Sequence, residues 1–221
     1  MGFSNPSTFF FGFGTTIYQV SGLGWSMSET PAFNTLSAST AGGRDVRVSL
    51  YENPLHSWKL IWNFLEAQQS GYCTNPTTAN DFSVLYSFYN AMTGKFGEFL
   101  YQPRDSAVVG QPLLAPDANG YVEIVHSTGP FFAESIQELN SAIPAIFNGG
   151  TDITSTCTFY AAGSISPYSG VVFTTATTPL TALTANYDYF YRVRFQEDKY
   201  DFEEFVYAIQ KTGIGMQQVR L

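Results

Sequence analysis

Apolar and polar residues alternate along several stretches of this chain. From Tyr187 to Phe195, the residues Tyr187, Tyr189, Tyr191, Val193 and Phe195 fall on one side of an extended strand. Asp188, Phe190, Arg192 and Arg194 fall on the other. Arg44–Tyr51 alternates in the same way, with Val46, Val48 and Leu50 on one face, and predicts a half-buried strand. After a Glu52-Asn53-Pro54 turn, Trp58, Leu60, Trp62 and Phe64 share a face of a second strand. The period then changes. Asn75-Pro76 marks a loop, Thr78 stands three residues before Asp81 as a cap, and Phe82, Leu85, Tyr86, Tyr89 and Met92 recur at helical spacing. Gly94 stands where a helix C-cap belongs, and Phe96–Gln102 predicts a strand. Shorter strands are predicted over Tyr121–His126, Thr156–Ala161, Gly170–Thr175, Phe202–Ile209 and Met216–Leu221. The pattern is mainly β, with one helix laid across a sheet.

Charge divides this pattern into parts. No Lys or Arg occurs between Arg104 and Arg192, whereas Asp105, Asp117, Glu123, Glu134, Glu138, Asp152 and Asp188 all lie there. The same region turns rich in Thr, Ser, Gly and Pro. These shifts predict a split domain, residues 1–112 with 186–221, that carries an inserted β-rich module, 113–185, of small-sandwich type.

Composition narrows the function. Only 13% of the 221 residues are charged, about half the usual ~25%. Two readings fit: a surface covered by other subunits, or a polar β surface of Thr, Ser and Asn. The net charge of −8 argues against tight nucleic-acid binding through phosphates. No apolar run is long enough to span a membrane, and the start of the chain lacks the basic region of a secretory signal.

Catalytic patterns are missing. His56, His126, Cys73 and Cys157 are scattered, without a close metal-ligating pair, so neither metal nor cofactor is expected. Gly94-Lys95 lacks the rest of a phosphate loop, and Gly12 and Gly14 lack the third glycine of a dinucleotide turn. Glu203 and Glu204 are neighbours on a strand, so they point to opposite faces and do not form a catalytic pair. No catalytic residue is assigned.

Three segments carry a family resemblance. The first is Gly42–Arg47 (GGRDVR) before an aliphatic-aromatic strand. The second is Gly94–Gln111 (GKFGEFLYQPRDSAVVGQ) after a helix. The third is Tyr189–Phe195 (YFYRVRF) followed by the acidic Gln196–Phe205. In order and spacing the chain resembles a family of phage tail proteins that includes the distal tail protein of gene transfer agents. Gly43 and Asp45 depart from the family's early motif, and the module matches only loosely. The resemblance implies a tail-tube-like β-barrel or sandwich with a flanking helix. It also implies a non-enzymatic virion protein at the distal end of the tail, assembled in the host cytoplasm. Such proteins form a homo-oligomeric ring, commonly a hexamer, between the tail tube protein and the hub or baseplate proteins, with a passage for DNA. Arg192, Arg194, Glu203 and Glu204 are then the candidate subunit-interface residues, with the arginines meeting acidic groups of the 197–204 run in the same or a neighbouring subunit. The rival readings are another tail or baseplate subunit, a carbohydrate-binding adhesin acting through the module, and a hydrolase with a dispersed site.

Overall fold

Strand-forming residues dominate the folded chain. The computed structural model describes residues 9–13, 16–20, 23–66, 81–103, 106–139, 144–173, 182–206 and 209–220. In chain order the first elements are β1 (Phe9–Phe13), β2 (Thr16–Val20), β3 (Leu23–Ala32), β4 (Thr35–Ser39), β5 (Asp45–Ser49) and β6 (Leu55–Glu66). Helix α1 (Asp81–Ala91) follows, then β7 (Glu98–Gln102), β8 (Ala107–Pro112), β9 (Tyr121–Glu123), β10 (Val125–Gly129), β11 (Phe132–Ser135) and β12 (Glu138–Leu139). The rest are β13 (Ala145–Asn148), β14 (Thr151–Asp152), β15 (Cys157–Tyr160), β16 (Gly170–Phe173), β17 (Leu183–Phe195), β18 (Glu203–Val206) and β19 (Ile209–Gln218). The fold is mainly β and sandwich-like, and no barrel closes among the described residues.

The chain divides into two compact units, Met1–Leu100 with Val193–Val219, and Tyr101–Arg192 with Arg220–Leu221. The boundaries expected from composition, 112/113 and 185/186, both fall inside the second unit. The composition shift marks where side-chain chemistry changes, whereas strand β17 runs across the second of these boundaries.

In the first unit β19 is the central strand. It pairs antiparallel with β6, Ile214 opposite Leu60 and Met216 opposite Trp58, and with the end of β17, Phe195 opposite Met216. Trp58, Leu60, Trp62, Ile214 and Met216 are all buried, as the alternation of β6 predicts. The side chain of Phe64, placed on the same face, lies outside those described. On α1, Leu85 and Phe88 are buried, and Phe88 meets Phe99 and Phe195 edge-on at 4.9 and 5.9 Å between ring centres. Tyr89 and Tyr200 close the same aromatic cluster around Phe195, at 5.1 and 5.9 Å. The helix ends as its sequence predicts: Gly94 takes φ +62°, and its N–H donates to the carbonyl of Tyr89. The predicted cap, Thr78, lies outside the described residues.

In the second unit β17 carries β8, β12 and β13 along its edges. Tyr187, Tyr189 and Tyr191 are buried, as the alternation requires, and Phe190 on the opposite face is buried too. A three-stranded sheet, β15-β16-β9, and the β10–β11 hairpin complete the unit. The strand expected over Tyr121–His126 is two strands, β9 pairing with β16 and β10 with β11. Between them the backbone N–H of Ile124 donates to Ser169, and its carbonyl accepts from Ile136.

Three further expectations fail. Tyr86, placed on the apolar stripe of α1, is 47% exposed, and Phe88, outside that stripe, is buried. Phe96, assigned to a strand, sits in the turn before β7 and is 86% exposed. The strand at Val46 and Val48 is not half-buried. β5 pairs only with β4, and every residue of both strands is exposed.

Candidate functional site

The exposed hairpin has two unlike faces. Its register sets Leu36 opposite Val48 and Ala38 opposite Val46, with Ser37 opposite Arg47 and Ser39 opposite Asp45 between them. Side chains alternate across a strand, so Leu36, Ala38, Val46 and Val48 share one face. Thr35, Ser37, Ser39, Asp45, Arg47 and Ser49 share the other, where Arg47 pairs with Asp45 at 2.7 Å. The apolar side chains are about half exposed: Leu36 57%, Val46 52% and Val48 53%. A hairpin tip held by Thr40, whose N–H and carbonyl bond Arg44 and Gly43, fixes this register. An alternating strand normally buries its apolar face; here nothing among the described residues covers it.

The predicted interface residues separate. Arg192 is half-buried in the second unit and pairs with Glu138, its Nε donating to Oε1 at 3.1 Å. This partner is a strand residue of the same chain, 54 positions away. β12 lies beside β17, with Glu138 opposite Phe190, which brings that carboxylate within reach. Arg194 is exposed and makes no ion pair or hydrogen bond among the described residues. Glu203 lies opposite Lys211 on β19 and Glu204 opposite Gln210, both exposed.

Arg194 lines a cleft of about 680 Å³ in the first unit, together with Lys95, Phe96, Gln196, Asp198 and Gln217. Its walls are tied together by specific bonds. The Lys95 backbone N–H donates to Asp198 Oδ1 at 3.0 Å, and Lys95 Nζ lies 3.3 Å from Oδ2. Tyr89 donates its hydroxyl to the Glu197 carbonyl. The turn beneath is held by two successive left-handed residues, Thr93 (φ +56°) and Gly94, and any Cβ on Gly94 would sit 2.7 Å from Asp198 Oδ1.

The Lys95 N–H, and then the Lys95 ammonium, hold the Asp198 carboxyl below the usual aspartate value. Its folded value is lower than its unfolded one, so the contribution of this contact is present above the ordinary aspartate pKa of about 3.9 and is lost as pH falls through the depressed value. An NMR titration should therefore show the Lys95 amide moving with a midpoint below that of an unfolded aspartate. A midpoint at or above it would contradict the contact.

Three acidic residues of the basic-free region have partners within the second unit. Glu134 is buried, accepts from Tyr191 at 3.3 Å and pairs with Arg220 at 3.5 Å. Glu123 accepts from the hydroxyls of Ser135 and Ser166. Asp117 accepts from the backbone N–H groups of Tyr121 and Asn119, which lower its pKa.

The scattered histidines are packed. His56 lies 2.6 Å from Glu29 through Nδ1 and stacks on Trp58, and the His126 ring lies 5.0 Å from that of Tyr189. Cys157 is a half-buried free thiol, with burial raising its pKa; Cys73 lies outside the described residues. Among the described residues no three His, Cys, Asp or Glu side chains gather as a metal site, and no helix is long and apolar enough to cross a membrane. No protein-family model matches the chain, and no curated protein matches it in sequence.

Proposed function

We propose that the chain is an assembly subunit, a distal tail ring protein joining a phage-type tail tube to the tail-tip hub and leaving a passage for DNA. The observation that carries this reading is the β4–β5 hairpin, whose apolar face of Leu36, Ala38, Val46 and Val48 is exposed. A face of that kind on a regular, register-fixed hairpin suits burial against a second copy, and contacts between unlike surfaces close into rings. The three sequence segments that resemble distal tail proteins, and the low charge content, support the same reading. Catalysis has no part in it.

Analytical ultracentrifugation with negative-stain imaging tests the proposal. The wild-type chain should sediment as a ring-sized oligomer at micromolar concentration. Leu36→Lys combined with Val48→Glu, an opposite-charge pair across the hairpin, should leave monomers whose melting temperature is little changed, because both side chains are already exposed. A wild-type chain that stays monomeric at high concentration, or a double variant that assembles normally, would overturn it.

A second reading, glycan binding by the middle of the chain, has one observation in its favour. Phe131, 98% exposed, stands at the β10–β11 turn beside the partly exposed Phe132. Exposed rings stack on sugars. A glycan array with the full chain and with Phe131→Ala separates this reading from the first.

A further inference from the structure

Three features of the Arg194 cleft point the same way. Its guanidinium is exposed and without an ion pair among the described residues, whereas the neighbouring Lys95 is engaged by Asp198. Phe96 projects from the adjoining turn at 86% exposure, on a backbone fixed by Thr93, Gly94 and the Asp198 contact. The amides of Gln196 and Gln217 supply donors and acceptors in the same cleft. Gln196 lies across Gly215, where a Cβ would come within 2.4 Å of its Oε1.

We propose that this cleft is a binding site for an acidic peptide segment of a protein partner, with a carboxylate on Arg194 and an apolar side chain against Phe96. Charge balance selects the ligand. Lys95 and Arg194 against Asp198 leave one positive charge in the cleft, which a carboxylate neutralises and a doubly charged phosphate exceeds. The guanidinium fork matches the two oxygens of a carboxylate. An arginine and an exposed aromatic lining one cleft match the residue types enriched at protein interfaces, and the two glutamine amides match the N–H and C=O groups of an extended peptide. The volume, about 680 Å³, accommodates a few residues. This site goes beyond the ring reading and does not depend on it: it needs only a partner with an exposed acidic-aromatic segment.

The test uses the full chain, ¹⁵N-labelled, titrated with the blocked tetrapeptide Phe-Glu-Glu-Phe, with its Phe-Gln-Gln-Phe analogue and with inorganic phosphate. The acidic peptide should shift the amides of Lys95, Phe96, Gln196 and Gln217 saturably, and the amide analogue should not. Arg194→Gln should weaken binding about tenfold or more, the loss of one charge-assisted pair. Phe96→Ala should weaken it further without altering the melting temperature, since both side chains are exposed. No saturable shift up to millimolar peptide would overturn the proposal. So would equal binding of the amide analogue, equal competition by phosphate, or unchanged affinity in both variants.

Discussion

Phe195→Ala should destabilise the first unit by about 3–5 kcal/mol, the range for deleting a large buried ring. Phe195 is 1% exposed and is bordered by Phe88, Tyr89, Phe99 and Tyr200, so no small movement of one neighbour refills the space. These rings come from α1, β7 and the loop after β17, so the loss loosens the helix from the sheet as well as opening a cavity. Chemical denaturation followed by near-UV circular dichroism and by helix signal at 222 nm checks it. Phe195→Leu should recover more than half of the loss. A variant within about 1 kcal/mol of wild type would mean that the cluster does not hold the helix in place.

Gly170→Ala should cost the second unit about 1–3 kcal/mol, the usual range for overpacking. A Cβ there would lie 2.3 Å from Cζ of Tyr121 and 2.4 Å from its hydroxyl oxygen. The ring cannot simply swing away. Its hydroxyl donates to the Tyr168 carbonyl at 2.8 Å, and β9 is locked to β16 with Glu123 opposite Gly170. The double variant Gly170→Ala with Tyr121→Ala should be less destabilised than the sum of the two single variants, because the second truncation removes the clash created by the first. Strict additivity in urea melts would show that the two positions do not meet.

Much of the fold is legible because burial follows period. Tyr187, Tyr189, Tyr191, Val193 and Phe195 alternate inward, Trp58, Leu60 and Trp62 do the same, and α1 begins and ends within a residue or two of its predicted stripe. The failures have different causes. Alternation at Val46 and Val48 shows that one face is apolar, but not that the same chain covers it. The run from Tyr121 to Val125 buries Tyr121, Val122, Ile124 and Val125, so it has no period, and only its pairing partners reveal the break at Ile124. Phe96 reads as the start of a strand until the two left-handed residues before it place it in a turn.

The candidate site was harder to read, since its members meet over long sequence separations. Lys95 and Asp198 are 103 positions apart, and Arg192 and Glu138 are 54 apart. Residue type marked Arg192 and Arg194 as alike, and their surroundings separate them. One faces a carboxylate of the adjacent strand, and the other faces solvent at the mouth of a cleft.

The pairing of β6 with β19 has a consequence for synthesis. Ile61 lies opposite Gly213 and Ser57 opposite Gln217, so the central ladder of the first unit joins residues 152 and 160 positions apart. A ribosome adding about 5–20 residues per second releases β19 about 8–30 s after β6. Until then β6 emerges with Trp58, Leu60 and Trp62 unpaired along that edge, while the contacts within Tyr101–Arg192 are already complete in the nascent chain, apart from those of the last two residues. The earlier-synthesised half must wait for the later one, and such long-range closure is slow. Loss of β19 leaves β6 with a tryptophan-rich open edge, a natural substrate for chaperones and proteases.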